Sequence, residues 1–374
     1  MIFTNSNILA GPGFASANGI YSYSYKNQKL TTIAQTGLGD FNPPLPGGYA
    51  FQETYSDSAN TVFRALGPDT STSSIYVSSN KYINTKIFGS GDPLPNNRGD
   101  ASYIFQPRIR GDDVLFTAVG DDGRGRVYRT DLTGSSVSTF LDLAPPGSDD
   151  IDFYALGGFE DGYLAYRTRR LPDGRYTGVY TADMNGAVNT IARLGDPLPG
   201  APGQTIGLFS GDTLHPSISD GKVVYAANGT GNTDGIYIAP VTGGASEVVV
   251  DDTMFLPGDT GITAGFALAS ISGDNVSFLG VTAAGTTTGL WVSMAGELVK
   301  IAYRNEVFDG RIVDDVFASP FSMYDNTVAF EIVFTDNTRG LYLATIIPAP
   351  GGVVVFGLAG AWAVRRRRKA LMSV

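Results

Sequence analysis

Acids are the chemistry this chain has in quantity: 36 Asp and Glu against a single histidine and no cysteine. Adjacent pairs stand at Asp112-Asp113, Asp121-Asp122, Asp149-Asp150, Asp251-Asp252 and Asp314-Asp315. Two carboxyl groups facing one glycosidic bond can share acid and base or nucleophile roles, so the pairs raise glycoside hydrolysis. Four of them flank strands in equivalent turns, however, which favours solvated turn acids. One histidine excludes His-Glu-x-x-His and every multi-histidine metal site. His215 stands in Leu214-His215-Pro216-Ser217-Ile218, which aligns with Phe105-Gln106-Pro107-Arg108-Ile109 and with Ala318-Ser319-Pro320-Phe321. That slot calls for a polar, hydrogen-bonding side chain rather than an imidazole. The absence of cysteine removes disulfides, thiolate metal sites and thiol nucleophiles. Neither a Gly-x-Ser-x-Gly elbow nor a Gly-x-x-x-x-Gly-Lys-Ser/Thr loop occurs. No catalytic, cofactor-binding or metal-binding residue is predicted.

The elements that would position such residues repeat. One short apolar segment ends on Phe3, Phe63, Phe116, Tyr166, Tyr225, Phe278 and Phe330. A second, reading Gly-Ile-Tyr or a variant, carries Tyr21, Tyr76, Tyr128, Tyr180, Tyr237, Trp291 and Tyr342, spaced by 55, 52, 52, 57, 54 and 51 residues. A constant period of about 50 residues marks a repeat architecture. The stretch from 112 to about 158 shows the unit, with strands expected over 113–117, 126–129, 137–141 and 152–156. Four short strands per repeat is the arithmetic of a propeller blade. The fold class is therefore all-β, a β-propeller of about seven four-stranded blades. A six-bladed ring, closed by 316–323 pairing with 1–4, is the alternative.

Composition agrees. The 48 glycines suit many tight turns, and the 40 Phe and Tyr favour strands. Net charge is −10, and without the basic run at 365–369 the balance is 21 basic against 36 acidic residues, or −15. Such a body repels phosphate backbones, so nucleic acid is not expected as a partner. The loops share wording at Gly91-Asp92-Pro93-Leu94-Pro95 and Gly195-Asp196-Pro197-Leu198-Pro199-Gly200, echoed at 44–48 and 256–259. They read as structural turns, without the dense acids of a calcium loop. Residues 1–4 occupy the second strand of a repeat, so an upstream inner strand and an export signal are expected. The last repeat is expected to stop after 340–344.

Val328-Ala329-Phe330 followed by Gly340-Leu341-Tyr342, with the Gly-Asp-Pro-Leu-Pro loops, resembles the choice-of-anchor tandem-repeat family named for NxxGxxAF. The resemblance implies a repeat-built bacterial surface protein. The tail resembles the PEP-CTERM sorting signal read by exosortases. It runs Pro348-Ala349-Pro350, an apolar stretch over 353–364, then Arg365, Arg366, Arg367, Arg368 and Lys369, with Ala349 where that signal has Glu. At 1.5 Å per residue such an apolar segment makes a helix shorter than the roughly 30 Å hydrocarbon core, and the basic run holds to the cytoplasmic side.

These readings predict a propeller over 1–346 and a sorting or anchor segment over 347–374 that contains a short apolar helix. The tail would meet an exosortase-like enzyme and anchor transiently in the inner membrane through 353–364. The function expected is that of an exported, non-enzymatic envelope or extracellular-matrix protein, with extracellular polysaccharide or protein as a further partner and no cofactor. The alternative is an extracellular carbohydrate-active enzyme or a glycan- or protein-binding propeller.

Overall fold

The computed structural model describes residues 2–5, 19–24, 29–35, 41–42, 50–57, 59–67, 71–79, 84–142, 151–170, 174–209, 215–349 and 352–356. Among these residues there is no helix. Seven sheets follow one another along the chain, within 2–35, 41–89, 103–141, 151–193, 206–251, 265–303 and 307–356, numbered here 1 to 7. Sheet 1 has three strands, and each of the other six is built on four consecutive antiparallel positions. Sheet 2 adds a short parallel strand, Phe41–Asn42, and sheet 7 a short hairpin strand, Val307–Phe308. In sheet 5 the first position is held by two short strands, Ile206–Leu208 and Ser217–Ser219, both paired with Lys222–Gly229. The chain divides into two compact units, residues 1–176 with 182–188, and residues 177–181 with 189–374.

The two aromatic series explain why each sheet forms where it does. In six sheets the second and third strands set their aromatics directly opposite: Phe3 with Tyr21, Phe63 with Tyr76, Phe116 with Tyr128, Tyr225 with Tyr237, Phe278 with Trp291, and Phe330 with Tyr342. The rings of Phe63 and Tyr76 stack at 5.7 Å, those of Phe278 and Trp291 at 6.3 Å and those of Phe330 and Tyr342 at 5.8 Å. Cross-strand aromatic pairs of this kind add about 0.5–1.5 kcal/mol each beyond the area they bury.

The glycine two residues before the aromatic shares its face, because side chains alternate along a strand. A Cβ on Gly235 would sit 2.6 Å from the Tyr237 hydroxyl, one on Gly289 2.8 Å from the Trp291 ring and one on Gly340 2.5 Å from the Tyr342 ring. Gly-Ile-Tyr is thus a packing motif in which the ring lies over the glycine. Trp291 needs more room, and the strand opposite supplies Gly280, whose Cβ would fall 2.7 Å from the indole. In five sheets the register to the fourth strand shifts beside this aromatic, as between Ile236 and Tyr237.

The shared loops are structural, as expected. Leu94, Leu198 and Leu256 are buried plugs, and Gly91 and Gly195 hold φ of 85° and 89°. The loop expected over 44–48 lies outside the described residues.

Other expectations are corrected. The strand expected over 152–156 is Ile151–Glu160 and begins sheet 4 rather than completing sheet 3. The segment 316–323 lies within Arg311–Tyr324, which pairs with Val307–Phe308 and Thr327–Phe334, so the six-bladed closure through residues 1–4 is not what organises it. The last repeat does not stop at 344. Arg339–Ala349 continues through Pro348 and pairs with a fourth strand, Gly352–Phe356. Residues 353–356 of the expected apolar helix are therefore strand, and 357–364 lie outside the described residues. Three consecutive valines, Val353 to Val355, favour a pleated strand because β-branching restricts χ1. No described helix is long and apolar enough to cross a membrane.

Gly289→Ala and Gly340→Ala are expected to overpack these slots and to cost about 1–3 kcal/mol each. Urea denaturation checks this, and an unchanged midpoint in both variants would remove the ring-over-glycine account.

Candidate functional site

The first strand of a sheet is an edge strand, and an edge leaves backbone N–H groups without a ladder partner. Here those groups are met by side-chain oxygens of the preceding sheet. In the second unit Ser217 and Ser219 accept from the amides of Ile271 and Gly273 at 3.4 and 3.1 Å. Ser270 and Ser272 accept from Met323 and Asp325 at 3.0 and 2.8 Å. In the first unit a carboxylate and an amide replace the serines. Glu53 accepts from the Gln106 amide at 2.5 Å, and the Gln106 side chain accepts from Leu156 at 2.9 Å. Glu53 and Gln106 have φ of 50° and 54°, at bulges where the register to the second strand shifts. Gln106 fills its slot with a hydrogen-bonding side chain, but the equivalent bulge position of sheet 6 holds Leu268 at φ 48°, so the slot does not require a polar residue. Ser319, aligned with Gln106 in sequence, lies inside the wider bulge between Ala318 and Met323 and accepts from Phe321 at 3.2 Å in its own strand.

This relay gathers the main polar cluster of the first unit. Arg64 is buried beside Phe63. It pairs with Glu53 at 3.1 Å and donates to Gln52 at 2.6 Å, to the Tyr103 hydroxyl at 2.9 Å and to the Ile104 carbonyl at 3.1 Å. Arg108 donates to the carbonyls of Pro107, Leu156 and Gly157 and lies over the Tyr55 ring at 5.2 Å. Burial lowers the Arg108 guanidinium to about 10, although Tyr55 and Glu53 favour its charge. Burial likewise raises the Tyr55 phenol. Glu53 and Tyr103 remain the solvent-facing members, with the Glu53 side chain 30% exposed. Glu53 already accepts from Arg64 and Gln106, so the cluster offers fixed hydrogen-bonding groups rather than a poised base. Neither arginine stood out in the sequence, because strand pairing within sheet 2 brings Arg64 to Glu53 and only the approach of sheet 4 to sheet 3 brings Arg108 to Leu156.

The acid pairs prove to be turn and ion-pair residues. Asp113 meets Arg129 at 2.6 Å and Asp314 meets Arg304 at 3.0 Å. Asp122 meets Arg126 at 2.6 Å, and that hydrogen bond holds its carboxyl down at about 2. Arg126 also reaches Asp142 at 2.8 Å, and Arg98 joins Asp142, fastening the 91–100 loop to sheet 3. Asp251 caps Thr253. Asp149 and Asp150 lie outside the described residues. Among the described residues no group of three or more His, Cys, Asp and Glu could hold a metal ion. Of the sorting residues, Pro348 pairs with Val353 and Ala349 with Gly352, while Pro350, Arg365, Arg366, Arg367 and Arg368 lie outside the described residues.

No family model matches this chain, and no curated protein does. Solved structures do. Two prolyl endopeptidases, studied for inter-domain dynamics in catalysis and specificity, are represented by a chain matching at a TM-score of 0.57 and 10% identity, over 92% of this chain and 47% of that one. The β-propeller domain of the Trilobed protease from Pyrococcus furiosus, described as having an open velcro topology, matches at 0.52 and 12%, over 87% and 84%. The fold is of β-propeller type. The acylaminoacyl peptidase of Pyrococcus horikoshii matches at 0.52 and 12%, over 91% of this chain and 47% of that one. This chain thus spans about half the length of the two whole peptidases. These likenesses correct the functional expectation: they lie with peptidase propellers, not with a sorted envelope or matrix protein or a carbohydrate enzyme.

One group in the second unit should contribute to pH dependence between about pH 4 and 6. Asp234 is buried, accepts from the Phe266 amide at 3.3 Å and lies where a Cβ on Gly265 would fall. Burial raises its carboxyl from 3.8 to about 6, and Asp252 adds to the rise. The folded protein then binds more protons than the unfolded chain between about pH 4 and 6, so this group's contribution to stability falls as pH rises through that window. The difference is worth up to about 3 kcal/mol. Asp234→Asn should flatten the thermal-unfolding profile across that window; an identical profile would show that Asp234 does not titrate there.

Proposed function

We propose that this chain is a peptidase-type propeller module that receives extended polypeptide for a catalytic centre built outside it. The observation that carries this reading is the match to 47% of a prolyl endopeptidase chain by 92% of this one. The polar cluster supports it. Glu53, Tyr103 and Gln52 combine partial or full exposure with positions fixed by Arg64, which suits hydrogen bonding to a peptide backbone. The one histidine, His215, stands in a slot filled elsewhere by Gln106 and Leu268, which argues against a nucleophile–histidine pair of the chain's own.

The test is fluorescence anisotropy with labelled proline-containing peptides, together with a peptidase assay on the same preparation. Saturable binding in the micromolar range is expected without turnover, weakened about tenfold or more in Glu53→Ala, on the scale of a lost charged contact. Absence of binding at millimolar peptide, or unchanged binding in the variant, would overturn the reading.

A further inference from the structure

The loops that enter sheets 3, 5, 6 and 7 occupy equivalent places. The backbone amides of Ala101, Ile206 and Val313 donate to the backbone carbonyls of Asp92, Asp196 and Glu306. Lys86 pairs with Asp92 as Lys300 does with Glu306. Leu94, Leu198 and Leu256 plug the core, with Phe308 packed at the same place in the last loop. Two outward slots follow from this alignment. They hold Pro93 and Asp100 in the first loop, and Pro197 and Thr205 in the second. In the last two loops they hold Phe255 with Ile262, and Val307 with Ile312.

Proline and a polar residue satisfy the fold at these slots, so the large apolar residues are not there for folding. They are also bare: Phe255 is 81%, Ile262 41%, Val307 72% and Ile312 48% exposed. The two loops adjoin. Lys300 would meet a Cβ on Gly258 and pairs with Glu306, and the Tyr303 hydroxyl donates to Asp259 at 2.7 Å. Clustered exposed apolar residues on a soluble surface mark an interaction site.

We infer that these two loops form a docking surface for a protein presenting an apolar strip flanked by lysine or arginine. Charge selects that occupant. The two loops and the residues beside them carry Asp252, Asp259, Glu306, Asp309 and Asp314 against Lys300, Arg304 and Arg311, a surplus of two negative charges. Those three cations are each paired with one of these acids. A second copy would bring the same surplus against itself, and an anionic membrane would be repelled. The inference goes beyond the polypeptide-receiving reading, which concerns the first unit, and can hold if that reading fails.

The test uses the full chain and two short fluorescein-labelled peptides, one alternating valine and lysine and one alternating valine and glutamate. The lysine peptide should bind, more weakly at high salt, and the glutamate peptide should not. The double variant Phe255→Ser with Val307→Ser should lose about tenfold or more of that affinity, with an unchanged melting temperature because both residues are exposed. The inference is overturned by equal binding of both peptides or by undiminished binding in the double variant. It is overturned equally by absence of peptide binding accompanied by binding to anionic vesicles, or by self-association in sedimentation that the double variant abolishes.

Discussion

An edge strand buried against a neighbouring sheet has amide groups that its own sheet cannot satisfy, and the rest of this structure depends on how they are met. Each such group left unpaired in the interior costs about 1–3 kcal/mol. Ser217, Ser219, Ser270 and Ser272 supply the acceptors in the second unit, and Glu53 and Gln106 supply them in the first. Each bond joins residues 50–54 apart, about one repeat. The period in the sequence is therefore the separation at which one sheet satisfies the next.

Within a sheet the aromatic pair does the corresponding work, and this part was legible. Phe278 and Trp291 announce their sheet because large rings recur at a fixed spacing and glycine precedes the second of them. The serines were not legible as acceptors. A serine in Ser217-Ile218-Ser219 looks like any surface serine until the register shows which amide it faces. The arginines were hidden for the same reason, since Arg64 and Arg108 act on carbonyls and carboxylates about 40–50 residues away or across a sheet.

The tail shows where sequence reasoning gave the wrong element. The sequence predicts a stop after 340–344, yet Pro348 does not end the strand, because proline removes only one donor and is tolerated in outer strands. Arg339–Ala349 runs through it, and Gly352–Phe356 completes the sheet. Apolar character over 353–364 predicts a helix, although the consecutive valines Val353 to Val355 fit a strand equally well. Phe255 and Val307 present the opposite case. Nothing in the sequence pattern marked them, and only their exposure and the alignment of their slot with Pro93 and Pro197 show that these apolar residues face solvent.

The most direct test of the sheet-to-sheet relay is amide hydrogen exchange in Ser270→Ala with Ser272→Ala. If side-chain acceptors hold successive sheets together, the Met323 and Asp325 amides should lose protection while the amides between Val276 and Ser293 in sheet 6 keep theirs. Unchanged protection at Met323 and Asp325 would contradict the account.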